Sequence, residues 1–188
     1  MRIYVLPLNF PDKNLFNALC NTLEDTFKIS VVILNHSLSL EKGKDPTRNQ
    51  YNSTWILSQI LKEVPEKYCK ILGVTYLDLF VPVLTYVFGE AQLEGKAAVV
   101  SSFRLRDELY GLSRNPEKLK ERLEKEAIHE LGHTFGLIHC PAPNCVMYTS
   151  TYAEEIDFKS KDFCNSCFLI LNKKKEELLQ KEESAQDQ

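Results

Sequence analysis

The sequence predicts a mixed α/β (α+β) fold: a twisted, mostly parallel mixed sheet of about five strands packed on helices. Three observations lead there. Short β-rich apolar segments fall at residues 2–7, 29–34, 70–76, 84–89 and 97–103. Stretches with helical spacing of apolar residues lie between or beyond them, at 12–27, 53–64 and 115–135. The opening strand–helix–strand order calls for a parallel pair joined by a right-handed crossover.

Each element has a local reason. Residues 2–7 alternate and are rich in β-formers. In 12–27, Leu15, Phe16, Leu19, Leu23 and Phe27 share one helical face, and Cys20 sits among them as a packed core thiol. Val31 to Leu34 run consecutively, which reads as a buried strand. Residues 36–50 are polar, with Gly43, Asp45 and Pro46, and read as a loop or loose hairpin. Ile56, Leu57, Ile60, Leu61 and Val64 form the face of a second helix that Pro65 ends. Gly89 and Gly95 bracket a turn between the last two strands, of which either, 84–89 or 97–103, is the expected sheet edge. Asn115-Pro116-Glu117 marks a helix start, with an N-cap, a first-turn proline and an acid at the positive end of the dipole. Leu119, Leu123, Ala127, Ile128 and Leu131 then pack inward to about residue 135. Periodicity is weak until about 160, where a short helix to 178 precedes a frayed polar tail at 182–188.

The chemistry lies at the end of the third helix. His129-Glu130-Leu131-Gly132-His133-Thr134-Phe135-Gly136-Leu137-Ile138-His139 spells H-E-x-x-H-x-x-G-x-x-H. His129 and His133 are four apart, so a helix stacks both rings on one face within reach of one cation. If the helix continued, His139 would lie about 15 Å from His129. The chain must therefore turn back, and Gly136 stands where a left-handed residue is needed. Pro141 and Pro143 follow and cannot extend a helix. Three imidazoles suit zinc, while Glu130 points about 100° away from its neighbour. Glu130 is thus placed to take a proton from a zinc-coordinated water rather than to bind the ion. A helical histidine pair alone is usually incidental; the carboxylate, glycine and third histidine at their offsets separate this pattern from that one.

Four of six cysteines follow: Cys140, Cys145, Cys164 and Cys167. Their spacing suits a closed four-cysteine zinc site with a structural role. A disulfide pair or a redox C-x-x-C are the alternatives. The first suits secreted chains and the second a strand-to-helix turn of a βαβ unit, and neither context is visible.

Composition sets the bounds. A chain of 188 residues with 44% apolar and 26% charged content is that of one globular domain. The net charge of −3 and the absence of a basic block argue against nucleic-acid binding. Lys173-Lys174-Lys175 runs straight into Glu176-Glu177, as a solvated helix end does. No secretory leader or membrane-length apolar run is evident, so a reducing cytoplasm is expected.

The string H-E-x-x-H-x-x-G-x-x-H-C-x-x-x-x-C-x-M, followed by C-x-x-C, resembles the archaemetzincins, a family of metzincin-type zinc metalloproteases. The likeness is close over about residues 126–168. It is looser through Leu72–Thr75, Tyr86–Ala91 and Ala97–Ser101. It implies a metzincin-like fold and two zinc ions per chain. His129, His133 and His139 would hold the catalytic ion, with Glu130 as general base. Cys140, Cys145, Cys164 and Cys167 would hold the second ion, and Met147 would form the Met-turn beneath the metal. Some metzincins outside the family place a tyrosine two residues after that methionine; Thr149 stands there, and Tyr148 and Tyr152 are read as packing residues.

The expected division is one catalytic domain over 1–188. Residues 1–136 would carry the sheet and active-site helix, and 137–188 the Met-turn and cysteine site. The expected function is zinc-dependent hydrolysis of a peptide or protein substrate laid along an edge strand, by a monomer, with aminopeptidase or endopeptidase preference open. The rival readings are a non-catalytic zinc module that binds a protein or peptide partner, and a hydrolase of non-peptide amides.

Overall fold

The structure is a computed structural model that describes residues 1–35 and 38–186; part of the expected 36–50 loop and the last two residues lie outside it. The chain opens with β1 (Arg2–Leu8), α1 (Lys13–Phe27) and β2 (Val31–Ile33). Asp12 caps α1 by accepting from the Leu15 amide at 2.9 Å, and Lys28 ends it in the left-handed region. A small second sheet follows, from β3 (Lys44–Asp45), β4 (Gln50–Asn52) and, after α2 (Ser53–Ile60) and β5 (Cys69–Thr75), β6 (Leu79–Phe80). The main sheet is completed by β7 (Gly89–Ala91) and β8 (Ala97–Ser101). Three helices end the chain: α3 (Pro116–Thr134), α4 (Ala153–Phe158) and α5 (Asn165–Gln186).

The five-stranded sheet has the order β2-β1-β5-β8-β7. All its pairs are parallel except β7 with β8, so the mostly parallel mixed sheet is as expected. Alternation sends Ile3, Val5, Leu72, Val74, Ala98 and Val100 to one face, where α1 and α3 pack. Tyr4, Leu6, Ile71 and Val99 face the other way onto α2 through Ile56, Leu57 and Ile60. Helices on both faces explain why the inner strands β5 and β8 are buried throughout.

Several expectations need correction. The expected strand at 84–89 shrinks to β7; residues before it form a segment that touches β6 by one Leu79–Val87 bridge. The 97–103 strand is internal, so β7 alone of the two candidates is an edge. The strand at 29–34 is not buried: β2 is an outer strand, and Ile33 is 37% exposed. Helix α4 lies where no periodicity was seen. Helix α5 starts later and runs further than 160–178, into the tail expected to fray, where Glu182 pairs with the N-terminal ammonium. Cys20 is in the core as expected, and burial pushes its thiol up to about 11.

Helix α3 carries the histidine motif, and its ends are fixed. Asn115 caps its N-terminus by accepting from the Lys118 amide at 3.0 Å, with Pro116 in the first turn. At the other end, Gly136 has φ +89°, its amide donates to the His133 carbonyl at 2.9 Å, and the Leu137 amide donates to Gly132 at 3.1 Å. Lys70 of β5 adds a second tie. Its buried ammonium donates to the Thr134 carbonyl at 2.6 Å and to the Gly95 carbonyl at 2.7 Å. It thus neutralises the negative end of the helix dipole, although burial pushes its pKa down to about 8.

Because an alanine pays the left-handed penalty that glycine avoids, Gly136→Ala is expected to lose about 1–2 kcal/mol. Urea unfolding reads this as a lower midpoint, and an unchanged midpoint would contradict the strain assigned to this turn.

Candidate active site

Helix geometry puts His129 and His133 side by side, and the turn at Gly136 brings His139 back to them. Ring centroids are 4.7, 5.2 and 5.0 Å apart for the three pairs. One nitrogen from each ring lies within 4.8 Å of the others. Carbonyl oxygens set two of the rings: His129 Nδ1 lies 2.8 Å from the Val146 carbonyl and His133 Nδ1 2.7 Å from that of Leu137. Each Nδ1 is therefore the donor, which leaves both Nε2 atoms as bare lone pairs. These two lone pairs face each other at 3.1 Å. Ligands at about 2.0–2.1 Å on a tetrahedral zinc would stand about 3.3 Å apart. The donor set thus fits a zinc ion. Burial also favours the neutral, ligating form, since it pushes His129 down to about 4 and lowers His133.

Glu130 is buried beside this cluster. The edge strand β7 crosses over it so closely that a Cβ on Gly89 would stand 2.6 Å from Glu130 Cγ and 2.7 Å from Oε1. Burial, then the like charges of Glu126 and Glu90, raise the Glu130 carboxyl well above the usual range; Lys159 opposes them. A carboxyl in this position readily holds a proton, which is the property a proton shuttle needs. Glu90 itself is tied to α2 by the Ser53 and Thr54 hydroxyls, which fixes β7 over the site.

A cleft of about 450 Å³ opens at the cluster, lined by Tyr86, Gly89, Glu126, Glu130, His139 and Thr149 among others. A second lobe of about 390 Å³ lies along β7, past His133 and Ile138. The Tyr86 hydroxyl donates to the Thr151 carbonyl at 2.9 Å, joining the two rims.

The floor of the site is the turn 145–148. Met147 is fully buried, and its sulfur fills the place of the side chain that Gly132 lacks. Sequence reasoning placed Met147 there from resemblance alone. The four cysteines also converge, with all ligand atoms within 4.8 Å and no disulfide among them. Cys140 and Cys164 sulfurs stand 3.7 Å apart, close to the roughly 3.8 Å edge of a zinc–sulfur tetrahedron. The Cys167 amide and the neighbouring thiols draw Cys164 down to about 7, so a thiolate forms easily. Tyr148 and Tyr152 are exposed rather than packed in the core, and Tyr152 lines the cleft. Sequence reasoning missed Gly89, Glu126 and Lys159. Glu126, three residues before His129, was open to notice; the others act across long sequence separations.

Known proteins resemble this chain over most of its length. The profile of Peptidase family M54 matches residues 27–173. An archaemetzincin from Methanocaldococcus jannaschii is 38% identical over 174 residues, covering 89% of this chain and 90% of its own. One from Archaeoglobus fulgidus is 39% identical over 167 residues, covering 89% and 96%. Among solved structures, a zinc-dependent peptidase from Methanocorpusculum labreanum superposes with a TM-score of 0.81 at 32% identity, over 90% of this chain and 99% of that one. The archaemetzincin of Methanopyrus kandleri gives 0.80 at 33% identity, over 94% and 96%. Fold, site and relatives define a zinc metallopeptidase. The chain belongs to peptidase family M54, the archaemetzincins.

With the histidine site stripped of metal, Glu130→Gln is expected to be more stable than the parent at pH 8, the gap closing as pH falls toward 4.5. The folded carboxyl keeps a proton that the unfolded chain releases above its ordinary value of 4.5. The parent therefore loses stability as pH rises through that window. Urea titrations across pH would show it, and a gap independent of pH would remove the assigned shift.

Proposed function

We propose that this metallopeptidase cleaves peptide bonds at a zinc ion held by His129, His133 and His139, with Glu130 as the general base. The observation that carries the reading is the pair of Nε2 lone pairs facing each other at 3.1 Å beside a buried carboxyl. Zinc, when bound there, supplies Lewis acidity that polarises the scissile carbonyl and makes water a stronger acid. The chain does the rest. The substrate lies extended along the free side of β7, held by main-chain hydrogen bonds. Glu130 accepts the proton of the attacking water and delivers it to the leaving amine. Gly89 leaves Glu130 room beneath the strand, and Val146 and Leu137 hold the imidazoles in the ligating tautomer.

A second zinc, bound by Cys140, Cys145, Cys164 and Cys167, would staple the irregular segment after Gly136. The division proposed is a single catalytic domain over 1–188, with the sheet and active-site helix in 1–136 and the Met-turn and cysteine site in 137–188. The protein is read as a monomer and placed in the reducing cytoplasm, a compartment that suits its six free thiols. No helix among the described residues is long and apolar enough to cross a membrane.

Glu130→Ala is expected to retain zinc while peptide cleavage falls about 10²–10⁴-fold, the usual share of general acid–base catalysis. Elemental analysis and a peptide-library digest check both halves; undiminished cleavage would end the assignment. Cys164→Ser is expected to melt the C-terminal segment, while His129→Ala keeps the fold. Equal loss of Tm in the two variants would contradict the division into structural and catalytic metals.

A further inference from the structure

One buried ion pair near the cleft touches neither the histidine rings nor the Glu130 carboxyl in the steps above, although its charges act on Glu130. Lys159, just past α4, is 2% exposed and Glu126 of α3 is 4% exposed. The Lys159 ammonium stands 2.8 Å from Glu126 Oε1, which it meets off the hydrogen-bond direction. It donates instead to the Tyr148 carbonyl at 3.1 Å. Two ions removed from water cost several kcal/mol each, and apolar groups of equal size often serve stability as well or better. Stability is thus a poor reason for this pair, and its placement gives a better one.

Tyr148 closes the turn 145–148, and every residue of that turn is engaged with a metal cluster or its support. Cys145 is one of the four cysteines. The Val146 carbonyl fixes the His129 ring at 2.8 Å. Met147 fits against Gly132 of α3. The segment after α4 clasps the same turn from outside. The Ser160 amide donates to the Asn144 carbonyl at 3.2 Å, and the Val146 amide donates to the Asp162 carbonyl at 2.9 Å. Lys159 supplies the one clasp that also reaches α3, because its ammonium contacts Glu126, three residues before His129. Lys125 adds to the seam by donating to the Ile156 carbonyl at 3.0 Å.

We propose that Lys159 is a positioning residue for the histidine metal centre: held between Glu126 and the Tyr148 carbonyl, it fixes the turn whose Val146 carbonyl orients His129. The inference rests on the reading of that centre as a metal site. Removing the direct hydrogen-bond partner of a metal ligand costs roughly 10–100-fold in metal affinity, and loosening the turn that carries Val146 weakens that partner for His129. Lysine suits the task because one ammonium can donate to the Tyr148 carbonyl while its charge faces the Glu126 carboxylate.

Cobalt(II) titration of the full chain tests this, since histidine-bound and thiolate-bound cobalt absorb differently. The double variant Glu126→Met/Lys159→Met removes both charges without leaving either ion alone. It is expected to fold, to keep the thiolate–cobalt band, and to bind cobalt at the histidines roughly 10–100-fold more weakly. Lys159→Arg, which keeps a cationic donor, is expected to recover most of that affinity. Should the apolar pair not fold, Glu126→Gln/Lys159→Met, which keeps the glutamate's shape and removes the donor to Tyr148, carries the same expectation. Parental affinity in a charge-free variant overturns the proposal, as does a Lys159→Arg loss equal to that of the double variant. A parent chain that shows only the thiolate band would instead remove the metal reading on which the proposal stands.

Discussion

Two unprotonated imidazole nitrogens pointing at one another are an unfavourable arrangement unless a cation lies between them. Everything around His129 and His133 enforces that arrangement. The helix supplies the four-residue spacing, and the Val146 and Leu137 carbonyls occupy the opposite ring nitrogens. Lys70 pins the helix end to β5, and the left-handed Gly136 folds His139 back to complete the trio. Burial lowers the proton affinity of the first two rings, so they do not escape the conflict by becoming cationic. The apolar core beneath is the rigid support that such a strained donor set requires.

The two ligand clusters are mechanically joined. Four residues, Cys145 to Tyr148, connect the cysteine group to the floor of the histidine group, and no flexible linker intervenes. The segment between Gly136 and α5 adds Leu137, Val146, Met147, Ala153 and Ile156 to the core but forms little regular structure besides α4. Its order derives from long-range ties: Arg122 to Asp157 at 2.6 Å, Lys125 to Ile156, Lys159 to Tyr148, and the converging thiols. The same ties that hold this segment also aim the floor of the cleft.

The parts legible in the sequence are those governed by near neighbours. The spacing of His129 and His133, the N-cap at Asn115 and the reversal at Gly136 each follow from a few adjacent residues, and the structure has all three. The apolar runs of β5 and β8 also mark strands in the right places, although 97–103, read as a candidate edge, is an inner strand. The 84–89 segment reads as strand from its apolar residues, but only Gly89 of it belongs to β7 and the rest wraps the cleft rim, while Leu79 and Phe80, not expected as a strand, pair with β4. Helix α4 and the second half of α5 were hidden for a related reason. Their anchors, Arg122 and Lys125 for α4 and the Met1 ammonium for Glu182 of α5, lie far away in sequence. The site residues missed, Gly89 and Lys159, act on α3 from 41 and 33 positions away from Glu130 and Glu126. No local pattern marks them.

Gly89 shows how a site can depend on an atom that is not there. Its α-carbon lies so near Glu130 that the smallest possible side chain would occupy the carboxylate's own volume. The sheet edge and the acid are therefore one shape rather than two neighbouring features, and a side chain added at the first must displace the second. A residue with no functional group is held here as tightly as any ligand, by the space it declines to fill.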